Sequence, residues 1–168
     1  MRPWQRHTPL LPSGLSQSDG LSRSITMKPL LDRITLTFIG LTSAYVGVYA
    51  YFFPAAWYAN FPGLGLRWLP QLGPYNEHLA ADVGAVYLAF AVMSLVALAQ
   101  VRNQALVRLA GAVLLTFNVL HLVYHLRMLH MYEPRDQVLN AVLLSLGAVL
   151  SAVLVIPSAN RVPSRAAA

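Results

Sequence analysis

Residues 105–126 read ALVRLAGAVLLTFNVLHLVYHL. A run of about 20 mostly apolar residues is what a helix needs to cross roughly 30 Å of hydrocarbon. In lipid every backbone polar group must find its partner inside the segment, so the run reads as a helix. Working outward, three more runs of the same kind appear: 34–53, closed by Pro54; 79–99; and 138–156, closed by Pro157. The link 100–104 is short, which makes the second and third helices antiparallel neighbours expected to touch. The fold class expected is all-α: an antiparallel four-helix transmembrane bundle with a long aromatic extracytoplasmic loop.

Composition agrees. The 168 residues are 57% apolar and only 11% charged, against roughly 25% charged in soluble domains. A net charge of +6 raises the question of nucleic acid. The basic residues stand singly, however, in the tails and between apolar runs, so they carry topology rather than a nucleic-acid footprint. With the amino terminus inside, nine of them fall on the cytoplasmic side (Arg2, Arg6, Arg23, Lys28, Arg33, Arg102, Arg108, Arg161, Arg165) and three outside (Arg67, Arg127, Arg135). This positive-inside bias places both termini in the cytoplasm of a plasma-membrane protein. The absence of cysteine excludes disulfides, thiolate metal sites and cysteine nucleophiles.

Residues 1–28 are polar and broken by Pro3, Pro9, Pro12, Gly14 and Gly20. They read as a disordered cytoplasmic tail, with no apolar core of the kind a signal peptide requires. Met27 is an alternative start. The transmembrane domain is 29–157, and 158–168 form a second cytoplasmic tail. Between the first two helices, Trp57, Tyr58, Phe61, Trp68 and Tyr75 alternate with Pro54, Pro62, Gly63, Gly65, Pro70, Gly73 and Pro74. Such rings favour the headgroup level, and a long ordered loop can also serve as a lid. Gly40, Ala44 and Gly47, with Gly84 and Gly111, supply small residues for close helix packing.

The chemistry concentrates in one polar cluster. Asn118, His121 and His125 stand at i, i+3 and i+7, on one face of the third helix. His78 and Asp82 are four apart on the second, after Glu77. Asp82 falls roughly 6 Å and His121 roughly 9 Å in from the outer end at 1.5 Å per residue, with His125 shallower. Ionisable residues at such depth are costly and default to a functional reading. Candidate ligand-binding residues are therefore His78, Asp82, Asn118, His121 and His125. A divalent metal held by His121, His125 and Asp82 fits first-row ligand chemistry, with Asp82 orienting a histidine. His121 and His125 leave one face of one helix and cannot clasp a porphyrin between them. The competing readings are a lipophilic ligand hydrogen-bonded by the cluster, an Asp–His proton relay, and polar contacts that only fix helix register.

The loop run Pro62-Gly63-Leu64-Gly65, then Trp68-Leu69-Pro70 and Gly73-Pro74-Tyr75-Asn76-Glu77-His78, then Ala81-Asp82-Val83-Gly84 and His121-Leu122-Val123-Tyr124-His125, resembles the DoxX-like group of four-helix membrane proteins, in its actinobacterial branch. The resemblance covers residues 30–157. It implies a redox-associated or accessory membrane protein. The function expected is that of a polytopic binding or accessory protein with a His/Asp pocket for a metal or small lipophilic ligand. The alternatives are a structural subunit of a membrane complex and a proton-coupled or redox membrane enzyme. The partners expected are the bilayer and either a second copy or a membrane-complex partner.

Overall fold

The computed structural model describes residues 17–157, with side chains described from residue 27. Of the tails expected at 1–28 and 158–168, residues 1–16 and 158–168 lie outside the described residues. The elements are α1 (Gln17–Phe52), α2 (Pro54–Asn60), β1 (Pro62–Gly63), β2 (Leu66–Arg67), α3 (Glu77–Ala99), α4 (Gln104–Arg127) and α5 (Pro134–Val155). Single 3-10 turns stand at Leu69–Gln71 and Leu129–Met131. α1 begins inside the stretch read as a tail and carries Pro29 within it.

Four helices are long and apolar enough to cross a membrane: Met27–Phe52, Glu77–Ala99, Gln104–Arg127 and Pro134–Val155. The outward surface agrees with that. Val92, Leu109 and Leu120 are 62%, 62% and 67% exposed, a cost in water but not in acyl chains. The architecture is that of a polytopic membrane protein.

Local chemistry sets the ends. The side chain of Asn76 accepts from the Leu79 amide at 3.0 Å, and that of Asn103 from the Leu106 amide at 3.3 Å. Each satisfies one of the orphan donors of a first turn. Pro54 and Pro134 open α2 and α5, where the missing N–H costs nothing. The β1–β2 hairpin pairs Pro62 with Arg67 and Gly63 with Leu66. Its two central residues, Leu64 and Gly65, both have positive φ (57° and 79°), the conformation a tight two-residue hairpin demands.

Glycine decides which helices meet. A Cβ on Gly84 would stand 2.5 Å from the Tyr51 backbone nitrogen, and one on Gly47 2.8 Å from that of Leu88. The backbones of α1 and α3 are therefore in direct contact. Gly40 meets Ser94 further along, so residue numbers fall along α3 as they rise along α1. On the other side, a Cβ on Gly111 would lie 2.6 Å from the Leu154 Cβ, and one on Gly147 3.0 Å from the Asn118 Oδ1. α1 with α3 and α4 with α5 are the extensive interfaces, whereas α3 and α4 share only a narrow seam, as do α1 and α5. The short 100–104 link thus makes chain neighbours but not the main packing partners. Gly84 and Gly111 serve two different interfaces.

The two pairs are knit together at one end. Leu36, Ile39, Ala97, Val101, Val107, Ala110, Leu114 and Leu154 form a buried cluster contributed by α1, the end of α3, the α3–α4 turn, α4 and the end of α5. Asp32 is fully buried there (0% exposed). It is ion-paired with Lys28 one turn earlier and accepts a hydrogen bond from the Gln104 amide of α4 at 3.3 Å. Toward the other end the bundle encloses a hollow.

Candidate functional site

The hollow is a cavity of about 660 Å³ lined by all four long helices and by the segment between α1 and α3. That volume is in the range of small-molecule sites. Its walls are mostly apolar. Ile39, Val46, Val83, Leu114, Leu143 and Leu144 contribute aliphatic surface, and Tyr87, Phe90 and Phe117 aromatic surface. Among its lining residues there is no Asp, Glu, Lys or Arg.

The loop end is built from folded aromatics. Trp57 and Trp68 are buried and line the cavity. Trp57 packs on Phe61 (5.7 Å between ring centroids) and Trp68 on Tyr132 (6.4 Å). The Tyr58 hydroxyl donates to the Gly73 carbonyl at 2.5 Å, and Arg67 donates to the Ala59 carbonyl at 3.0 Å, cross-tying the loop. The indole N–H groups of both tryptophans are buried with no partner among the described residues.

The five residues singled out from the sequence separate into two groups. Asn118, His121 and His125 line the cavity, as their spacing on one face requires. Phe117 stacks on His121 at 5.2 Å, and His121 meets His125 edge to face at 4.4 Å. The Tyr132 hydroxyl approaches His125 Nδ1 at 3.4 Å. Asn118 is largely spent on structure. Its amide donates to the Leu114 carbonyl (2.9 Å) and to the Ser151 hydroxyl (3.0 Å), and Ser151 passes a hydrogen bond to the Gly147 carbonyl (2.8 Å). This clasps α4 to α5.

His78 and Asp82 stand elsewhere. They pair with each other at 3.3 Å on an open face of α3, with side chains 88% and 63% exposed, and neither lines the cavity. The rotation of α3 explains this. Ala80, Gly84 and Ala91 are buried, and Gly84 packs on α1. Val83, Tyr87 and Phe90 face the cavity, and at 100° per residue Asp82 is carried away from both surfaces. The triad His121, His125 and Asp82 is therefore not assembled. Among the described residues no group of three or more His, Asp or Glu stands together as a metal site.

One residue not singled out from the sequence completes the polar end. Asn140 of α5 lines the cavity and is 1% exposed. Its side chain interacts with those of His125 and Tyr132, but these contacts fall short of good hydrogen-bond geometry, and both its amide nitrogen and its oxygen retain bonding capacity. Native proteins bury few polar groups without well-made hydrogen bonds. The signal in the sequence was a lone carboxamide two residues into an otherwise apolar span. The same end therefore holds two imidazoles, a carboxamide and a phenol, which together can donate and accept hydrogen bonds but carry no fixed charge. No family model, no curated protein and no solved structure matches this chain.

Proposed function

We propose that this chain is a membrane-embedded binding protein that holds a small lipophilic ligand in the cavity between its four helices, with Asn140, His125 and His121 at the ligand's polar end. The observation that carries the reading is the fully buried carboxamide of Asn140, which with His125 and Tyr132 forms a polar end of poor internal hydrogen-bond geometry within an apolar cavity. A ligand that exchanges a well-aligned hydrogen bond with it improves on the poor bonding the cluster offers itself. The tryptophan N–H groups of the loop offer further donors at the same end. Asn118 holds the α4–α5 wall in register, and the loop acts as the roof.

In this reading the helices form an antiparallel bundle with the 54–76 loop outside the cell and both termini in the cytoplasm of the plasma membrane, as the distribution of Lys and Arg directs. The kinship proposed is with the DoxX-like group, resting on the loop and helix motifs quoted above. His121 and His125 without a nearby carboxylate favour a hydrogen-bonded organic ligand over a divalent cation, which would ask for more ligands.

The test is mass spectrometry, with elemental analysis, of protein purified in mild detergent. The expected result is a neutral lipophile in near-stoichiometric amount, lost from a folded Asn140→Leu variant. A protein that carries nothing, or that carries the same lipids with Asn140 replaced, overturns the proposal. Stoichiometric metal dependent on His121 would replace it with the metal reading.

A further inference from the structure

The cavity is open to the side, and the opening says what kind of molecule uses it. Phe38 and Tyr45 on α1, and Leu143 and Leu146 on α5, each line the cavity and are also exposed on the outer surface. On α1 and α5, which meet only along a narrow seam, these are the large apolar residues that combine both properties. At 1.5 Å per residue, Tyr45 and Phe38 lie roughly 10 and 21 Å from the loop end of α1, and Leu143 and Leu146 roughly 13 and 18 Å from the same end of α5. The four residues therefore border one gap at matching depth, near mid-membrane. The opposite seam, between α3 and α4, shows this double character only at its loop end, in Leu79 and Tyr124. Below them Tyr87, Phe90 and Phe117 close it with edge-to-face ring contacts of 4.8–5.9 Å.

The polar groups stand at the loop-side margin of the gap and above it. Asn140 and His121 lie roughly 9 Å, and His125 roughly 3 Å, from the loop end. An occupant that satisfies Asn140 thus has its polar end beneath the loop and its apolar part pointing to mid-membrane, where the wall opens to lipid. That is how a lipid already sits in the leaflet on the loop side. The lining also selects among lipids. With no Lys or Arg to pair with it and no Asp or Glu to balance it, a charged head group would be desolvated without a counter-ion, which is strongly unfavourable. Resting on the binding reading above, we propose that the ligand is an uncharged lipid with a hydroxyl or carbonyl head, and that it enters from the bilayer through the α1–α5 gap.

Two measurements on the full chain in lipid vesicles test this. Trp57 and Trp68 line the cavity and report occupancy by fluorescence once the third tryptophan is removed by Trp4→Phe. The probes are a long-chain alcohol brominated near its hydroxyl and the carboxylate of the same chain, at a pH where the acid is ionised. Saturable quenching is expected from the alcohol at a concentration at least tenfold lower than from the carboxylate, and Asn140→Leu abolishes it. The chain contains no cysteine, so Leu146→Cys gives a unique handle at the gap. A bulky maleimide there is expected to slow the onset of quenching at least tenfold. A methylthio label does not, nor does the bulky maleimide on Leu109→Cys, which is exposed on α4 away from the cavity. Equal binding of carboxylate and alcohol overturns the assigned head group. An onset rate unaffected by the bulky label at position 146 overturns the route. Both of those results leave a ligand in the cavity. Quenching that is absent, or indifferent to Asn140→Leu, removes the binding reading itself.

Discussion

Replacing Gly84 by alanine sets a methyl group against backbone that has nowhere to go. The added Cβ would stand 2.5 Å from the Tyr51 nitrogen and 2.8 Å from its Cα and Cβ, so α1 and α3 must part by about 0.9 Å to reach ordinary contact at 3.4 Å. Overpacking of this kind costs about 1–3 kcal/mol, and the upper half of that range applies because the atoms met are main chain and not the end of a flexible side chain. Alanine also returns about 1 kcal/mol of helix propensity, which blurs the single variant. Gly40→Ala removes that ambiguity. It lies on the same helix pair, and its new methyl would meet the Ser94 Cβ at 3.4 Å, an ordinary contact. The propensity gain is common to both variants, so their difference isolates the clash. Unfolding in mixed micelles, followed by helical circular dichroism, is expected to find Gly84→Ala about 2–3 kcal/mol less stable than Gly40→Ala. If the two are equally stable, α1 and α3 do not meet backbone to backbone at this point, and the account of the helix pairing fails.

Asn140→Leu removes a buried amide whose contacts with His125 and Tyr132 fall short of good hydrogen-bond geometry, so little bonding is lost with it. Ligand-free variant protein should melt no lower than ligand-free wild type, while ligand retention is lost. Lys28→Met strands the buried Asp32 carboxylate and is expected to cost about 3 kcal/mol. Lys28→Met with Asp32→Leu recovers most of it in the same unfolding assay. His78→Ala, which breaks an exposed ion pair, should change stability by less than about 1 kcal/mol and leave ligand retention intact. Burial pushes the Tyr132 hydroxyl up to about 12, so the folded protein keeps a proton that the unfolded chain releases near 10. This contribution to stability is whole below about pH 10 and declines as pH rises toward 12. Melting curves over that interval should therefore fall less steeply for Tyr132→Phe than for wild type.

The spans were readable because length and hydropathy are conditions that lipid imposes on every segment. The limits expected at 79–99 and 105–126 agree with Glu77–Ala99 and Gln104–Arg127 to within two residues. Helix rotation was not readable. In water a buried face announces itself as an apolar stripe, but here lipid-facing Val92 and core Leu154 are equally apolar, and nothing in the pattern tells them apart. That is why His121 and Asp82 could be put at one depth but not on facing surfaces. Spacing along one helix fared better, since Asn118, His121 and His125 do share the cavity face. Asp32 was passed over because a charge beside Arg33 at the start of a span looks like solvated flank. Its burial depends on Lys28 and on Gln104, which is 72 residues away.

The division into two tightly knit helix pairs has a consequence for how the protein can be taken apart. α1 must remain in the bilayer unsatisfied until α3 emerges, whereas α4 and α5 are made last and together. Across the turn 100–103 the halves meet through the buried cluster at the Asp32 end and two narrow seams, while each glycine crossing lies wholly on one side of it. A gene severed at that turn would yield two fragments, each holding a complete helix–helix interface. Their reunion would then be a bimolecular reaction between preassembled halves, and the cavity would exist only where they dock.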